Sequence, residues 1–269
     1  MDKKIAMYTV IFGGYDSLKE DESIIPPAGV DFFIVTDTKD LKTRFYNVIH
    51  KEDVFANPQK AARYYKINSH LLFPDYDWVF FHDGLIEIKL NKIHDLLKTV
   101  DGYDFLSYHH HIRNCTYREA KVIKAYALEY SKIVDRQVRQ LKKCKFPKNA
   151  GLFESFFLFR NHKNLEIIKM NEHWWSEVNE FSLRDQLSLT FVAHQYKINK
   201  GYFQGKGRNS QFFDFHSHKK NRSPKYDSLY QFLYYKVSLF YYFNFRSTFL
   251  KVKEKLLLLF FGKKPFNPK

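Results

Sequence analysis

The residues best suited to chemistry lie between Asn57 and Glu87, in NPQKAARYYKINSHLLFPDYDWVFFHDGLIE. Lys60, Arg63 and Lys66 recur at helical spacing and fall within roughly a 120° arc of one helix face. Three cations on one arc suit a diphosphate, Arg offering a planar fork and Lys a point charge. A solvated basic face gives the same pattern. Downstream, Trp78 to Phe81 reads as a buried strand that runs into His82-Asp83-Gly84. A carboxylate at the carboxyl end of a buried strand is where α/β proteins place ligand chemistry. Asp83 could hold Mg²⁺ or Mn²⁺ against a substrate phosphate. An Asp-Gly turn between two strands accounts for the same residues.

Other candidates follow the same logic. Asp37 ends a second apolar run, where an acidic residue accepts hydrogen bonds from a ribose; a Thr-Asp-Thr turn is the alternative. Ser182-Leu183-Arg184-Asp185-Gln186 opens a helix. Asp185 there is either a carboxylate acting on an acceptor or part of a near capping box on Ser182. His109-His110-His111 is poorly spaced for a metal if the segment is a strand. His109 and His111 would then share a face and His110 would point away. His216 and His218 have the same i, i+2 geometry and could add nitrogen ligands to a Mn²⁺ site. Trp174 and Trp175 could stack on sugar faces or form core. No H-E-x-x-H, G-x-S-x-G or P-loop occurs.

These residues need elements to hold them. Ile5 to Phe12, Phe32 to Val35, Trp78 to Phe81, Ile86 to Ile88, Phe105 to Tyr108 and Phe153 to Phe159 read as strands. Pro58 to Leu72 is predicted helical, with Asn57 as its cap and Pro58 at the first position. Thr116 to Leu141, His162 to Glu180 and Leu183 to Tyr196 read as further helices. Strands alternating with helices argue for an α/β layer fold.

The chain has 269 residues, 28 Phe, 19 Tyr and a net charge of +15. From His216 onward there are 12 Lys/Arg against 2 Asp/Glu, so the basicity belongs mainly to a tail. That concentration, without an RRM or OB pattern, argues against a nucleic-acid-binding protein. Two cysteines imply no disulfide framework and fit a reducing cytoplasm. The first residues do not read as a signal peptide, and no uncharged apolar run is long enough to span a bilayer.

Several blocks, taken in order, resemble a known family. They are Tyr8 to Asp16 (YTVIFGGYD), Phe33 to Asp37 (FIVTD), Asn57 to Lys66 (NPQKAARYYK), the strand into Asp83-Gly84, and Arg184 to Ser188 (RDQLS). His111 to Ala120, with Arg113, Cys115, Tyr117 and Glu119, is a further block. Together they resemble the turgor-regulation and mucilage-related glycosyltransferase-like family over roughly residues 6 to 200. The resemblance implies a GT-A-like Rossmann fold and sugar transfer from a nucleoside diphosphate. It sets Asp83 at the position of a DxD motif, with a late histidine completing a metal site, although Phe81-His82-Asp83 carries a single acidic residue. Asp185-Gln186 resembles the Asp-Gln pair of a retaining GT-A group, and would equally serve an inverting enzyme.

The expectation is therefore an α/β GT-A-like domain over residues 1–218 and a basic, aromatic extension over 219–269. Lys60, Arg63 and Lys66 are expected at the diphosphate, and Asp37 at the nucleoside. Asp83 with His216 or His218 is expected to hold Mn²⁺ or Mg²⁺. Asp185 and Gln186 are expected at the acceptor side. The donor is expected to be a UDP-sugar and the acceptor a surface or lipid-linked glycan. The tail would rest on an anionic membrane surface at the cytoplasmic face. A metal-dependent hydrolase is the rival, since water can take the acceptor's place.

Overall fold

The computed structural model describes residues 3–20, 25–216 and 224–244, the last seven by backbone alone. In chain order the elements are β1 (Ile5–Ile11), β2 (Val30–Thr36), β3 (Asn47–His50), α1 (Pro58–Ile67), α2 (Ser69–Leu72), β4 (Trp78–His82), β5 (Ile86–Ile88), α3 (Ile93–Thr99), β6 (Phe105–His109), α4 (Thr116–Ala125) and α5 (Ser131–Lys143). There follow β7 (Phe153–Asn161), α6 (Leu165–Glu180), α7 (Gln186–Ala193), β8 (Lys200–Tyr202), β9 (Phe213–Phe215) and α8 (Leu229–Asn244).

Among the described residues, those of 3–111 and 151–216 form one compact unit. Its centre is a seven-stranded mixed sheet of order β3-β2-β1-β4-β7-β6-β8. β3, β2, β1 and β4 run parallel, β7 runs antiparallel to both neighbours, and β8 runs parallel to β6. β1 is buried at all seven positions, as a central strand covered on both faces must be, which is why IAMYTVI is apolar but for Thr9 and the Tyr8 hydroxyl. The α/β architecture expected from the alternation of elements is the one observed.

Where β7 faces β6, two steps on β6, from Ser107 to His109, face five on β7, from Leu158 to Phe153. The surplus residues of β7 bulge out of register. Bulges re-aim side chains, and this one carries Glu154 and Ser155. β5 and β9 form a separate two-stranded sheet.

The helix expected over 58–72 is interrupted. Asn57 does cap α1, its side chain accepting from Lys60 N at 3.1 Å. Asn68 then leaves the helical region at φ −86°, ψ 46°, and its side chain donates to Tyr64 O at 3.1 Å, closing α1. The helix expected over 116–141 is likewise two helices. Ala127 takes a left-handed φ of 50°, while the Ala127 and Leu128 amides donate to Lys124 O and Ile123 O. This is a Schellman-like stop that a continuous apolar period does not announce.

The second compact unit comprises, among the described residues, 112–150 and 224–244. In it the buried Gln231 on α8 donates to Lys124 O and Glu129 O at 3.3 and 3.0 Å, while Tyr234 packs on Ala125. Lys225 pairs with Glu129 at 3.2 Å. The first turns of the basic extension are thus packed with α4 and α5. Residues 245–269, with many of the side chains expected at a membrane, lie outside the described residues, as does His218. No helix among the described residues is long and apolar enough to cross a membrane.

Candidate active site

The carboxyl ends of β1, β2 and β4 lie side by side, and their loops are tied together. Gly13, following β1, has φ 62°, and a Cβ there would sit 2.8 Å from Pro58 Cβ. Only glycine lets this loop approach the start of α1 so closely. The Gly13 amide donates to both Asp37 carboxylate oxygens, at 3.1 and 2.9 Å. Asp37 therefore links the loops after β1 and β2. After β4, Gly84 packs on Ile11, where an added Cβ would meet Ile11 Cδ1 at 2.9 Å.

The three α1 cations do not share one outward face. Lys66 is 1% exposed and points inward, its Nζ 2.5 Å from Asp185 Oδ2 and 3.9 Å from Asp83 Oδ1. Arg63 also turns in, its Nε 3.5 Å from Asp185 Oδ2 and donating to Leu183 O at 3.3 Å. Lys60 is half-buried, with its ammonium 5.3 Å from the centre of the Phe55 ring. The physical reason lies in long-range partners. A buried ammonium is tolerated only when paired, and Asp185 supplies that pair from 119 residues away. The Lys66 backbone is pinned as well, its carbonyl accepting from Tyr8 Oη at 2.6 Å and from Arg160 at 3.0 Å.

Asp185 is 4% exposed. Its Oδ1 accepts from Ser155 Oγ and from the Gln186 amide, both at 3.1 Å, and its carbonyl accepts from Trp174 Nε1 at 3.0 Å. α7 therefore starts on Asp185, while Ser182 Oγ accepts from the Arg184 amide instead of capping the helix. Burial alone would raise the Asp185 carboxyl. The Arg63 guanidinium and the Lys66 ammonium outweigh it and hold the group well below the usual carboxylate range. Burial pulls Lys66 down, opposed by Asp185 and Asp83. A carboxylate so stabilised is a weak proton acceptor, and one so enclosed must first release Lys66 to meet an acceptor hydroxyl. This geometry suits a positioning role better than direct action on an acceptor.

Of Lys66, Asp185 and Asp83, Asp83 is the most accessible, its side chain 32% exposed and its amide donating to Phe156 O at 2.8 Å. Behind it His82 is fully buried between Tyr46 Oη, at 3.2 Å, and the Asp83 carbonyl. Burial lowers its pKa to about 4, so it is neutral at pH 7.

The described residues around Asp83 do not fit a divalent-ion site. Asp83 contributes one carboxylate, already facing the Lys66 ammonium, and among the described residues it joins no group of three metal-ligating side chains. His216 is hydrogen-bonded to Glu87 at 2.7 Å, at the β5–β9 ladder.

Among the described residues, the ligating side chains that do converge are His110, His111 and Glu154. Alternation along a strand predicts His110 on the opposite face from His111. The strand ends at His109, whose ring packs on Tyr202, and the chain then bends. The His110 and His111 rings consequently stack at 8° with centroids 5.0 Å apart. Gln186 Nε2 donates to Glu154 Oε2 at 3.2 Å, which joins this cluster to Asp185. Sequence reasoning missed Glu154, Ser155, Tyr8 and Arg160. The one available signal was charge inside apolar strand sequence, at Glu154 and Arg160. Trp174 is fully buried and cannot meet a sugar; the half-buried Trp175 lies against Phe55 and Tyr64.

The family model for the TOD1/MUCI70, glycosyltransferase-like domain matches residues 1–218. No curated protein matches the chain.

Proposed function

The chain belongs to the TOD1/MUCI70 glycosyltransferase-like family, and on that premise we propose that it transfers a sugar from a nucleoside-diphosphate donor, a UDP-sugar, to a growing cell-surface glycan such as capsule or lipopolysaccharide. The observation that carries this reading is the Asp83–Lys66–Asp185 cluster at the carboxyl end of the sheet. Ligands of open α/β sheets bind there. The donor diphosphate lies at the N-terminus of α1, against the Gly13-Gly14 loop. Helix N-termini favour anions through their dipole. Lys60 and Arg63 flank that position along α1, and Asp37 stands beside it for the ribose.

Negative charge grows on the diphosphate as the glycosidic bond to it breaks. Lys66 is a fixed positive charge already placed behind Asp83, so it needs no reorganisation as that charge develops. Asp185 keeps Lys66 charged and aimed. Asp83, the most accessible of the three, faces the sugar or the acceptor. The basic, aromatic tail from Tyr226 to Lys269 would hold the enzyme at an anionic membrane, near a lipid-linked acceptor.

The test is a binding and turnover series on the full chain. Melting shifts with UDP, GDP, CDP and CMP should be largest for UDP, because ligands of the folded state raise its stability. UDP release from UDP-sugars should then depend on added glycan acceptor. Release at the same rate without acceptor, with free sugar as product, would make the protein a hydrolase. Flotation with anionic and neutral liposomes tests the tail, and failure to float with either removes the membrane placement.

A further inference from the structure

We propose that His110, His111 and Glu154 form a binding site for a divalent transition-metal ion of the Zn²⁺ type, separate from Asp83. One ligand atom from each residue lies within 4.8 Å of the other two. His111 Nδ1 is 3.4 Å from Glu154 Oε1. Metal–ligand bonds of about 2.0–2.1 Å at tetrahedral angles put neighbouring ligands about 3.4 Å apart, so this pair already spans one edge of a coordination tetrahedron. Imidazole nitrogens bind in the ring plane, so His111, 33% exposed, is the side chain that turns out of its stack on His110 to bring both rings to one ion.

The ligand chemistry selects the metal class. Two imidazoles with one carboxylate suit Zn²⁺ and its neighbours, whereas Mg²⁺ and Ca²⁺ prefer oxygen alone. Three protein ligands leave the fourth position open to water or a substrate oxygen, the pattern of a catalytic rather than a closed structural zinc site.

Backbone and side-chain contacts hold these three residues in place. The β7 bulge re-aims Glu154 toward the end of β6, and the His110 amide is fixed to Leu152 O at 2.8 Å. His110 is 5% exposed, which shelters one ligand from solvent. Gln186 Nε2 orients the outer carboxylate oxygen, Glu154 Oε2, at 3.2 Å. Such supporting hydrogen bonds hold metal-binding carboxylates in place. An ion here would fix Glu154 and, through Gln186, the start of α7 beside Asp185.

Isothermal titration of the metal-free full-length protein with Zn²⁺, and visible absorption with Co²⁺ as the spectroscopic probe, test the proposal. One equivalent should bind, and Co²⁺ should give the intense bands of a four-coordinate site. His111→Ala and Glu154→Gln should each weaken binding by at least about tenfold. Circular dichroism should show both folded, since one side chain is partly exposed and the other change is isosteric. Asp83→Asn should leave the affinity unchanged. Absence of saturable binding, or binding indifferent to both variants, would overturn the proposal. Loss of binding in Asp83→Asn alone would place the ion at Asp83 and overturn it equally.

Discussion

Among the described residues, two buried cations share the sheet unit, and they are kept in opposite ways. Arg160, on β7, is wholly buried and held mainly by neutral groups. It donates to Ile67 O, Lys66 O, Asn171 Oδ1 and Tyr8 Oη, at 2.9, 3.0, 3.3 and 2.8 Å. Two of those acceptors are the last carbonyls of α1, which no helical amide can satisfy and which carry the negative end of the helix dipole. Lys66, one turn of chemistry away, is held instead by the carboxylates of Asp185 and Asp83, the second of them open to solvent. Arg160 thus ends a helix, while Lys66 projects from that same helix terminus toward the partly exposed Asp83. A cation satisfied by dipoles serves the fold. One satisfied by a carboxylate that solvent can reach is available to a ligand.

The sharpest way to break this contrast is to remove Arg160. Arg160→Met would orphan several buried acceptors at once and should lower stability by about 4 kcal/mol or more, measured by urea unfolding. A loss within about 0.5 kcal/mol would mean the helix end needs no clamp. Lys66→Met should cost about 3 kcal/mol, because Asp185 is left as a buried charge without the ammonium that lies 2.5 Å from it, and it should lower turnover at least about a hundredfold. Adding Asp185→Asn to Lys66→Met should recover most of the stability and none of the turnover. Recovered turnover in the double variant would make the pair structural, like Arg160.

Asp83→Asn sharpens the functional half. The pair with Lys66 is long and Asp83 is partly exposed, so unfolding should shift by less than about 1 kcal/mol. Transfer should nonetheless fall by about a hundredfold in a steady-state assay with the true donor. Near wild-type turnover would reduce Asp83 to a turn residue.

The smallest effect concerns His82, which is buried in neutral form rather than as a cation. Its folded pKa of about 4 lies below the ordinary value of about 6.5, so the unfolded chain binds more protons between those pH values. Stability should therefore fall as the pH drops from about 6.5 toward 4. His162, lowered to about 3 by burial and by Arg160, adds to the same slope. Asp185, with its depressed carboxyl, contributes stability that begins to be lost only below about pH 4. Denaturant midpoints across pH 4–7 should show a shallower slope in His82→Gln. An unchanged slope would assign the acid sensitivity elsewhere.

Much of the scaffold was legible because it is written in local pattern. β1, β2, β4, β5, β6 and β7 announce themselves as apolar runs, and Asn57-Pro58 marks the start of α1. The elements that escaped are short or half-exposed, such as β3, whose residues are mostly exposed, and the three-residue β8 and β9. Helix stops at Asn68 and Ala127 depend on single backbone angles, not on period. At the site, the spacing of Lys60, Arg63 and Lys66 gave a shared arc but not the direction in which it faces. That direction is decided by Asp185, far along the chain, and no spacing rule reaches it. Glu154 was lost inside an aromatic strand, because strand alternation does not foresee a bulge.

The enclosure of Lys66 also makes it a chemical clock. Amine-directed reagents should modify exposed lysines within their ordinary reaction time and pass over Lys66, which presents 1% of its surface. Its labelling can advance only as fast as the Asp185 pairing opens, so the rate reports local opening rather than intrinsic amine reactivity. A donor bound over Asp83 should slow that rate, and mass spectrometry of this one peptide would then follow site occupancy without any assay of the product.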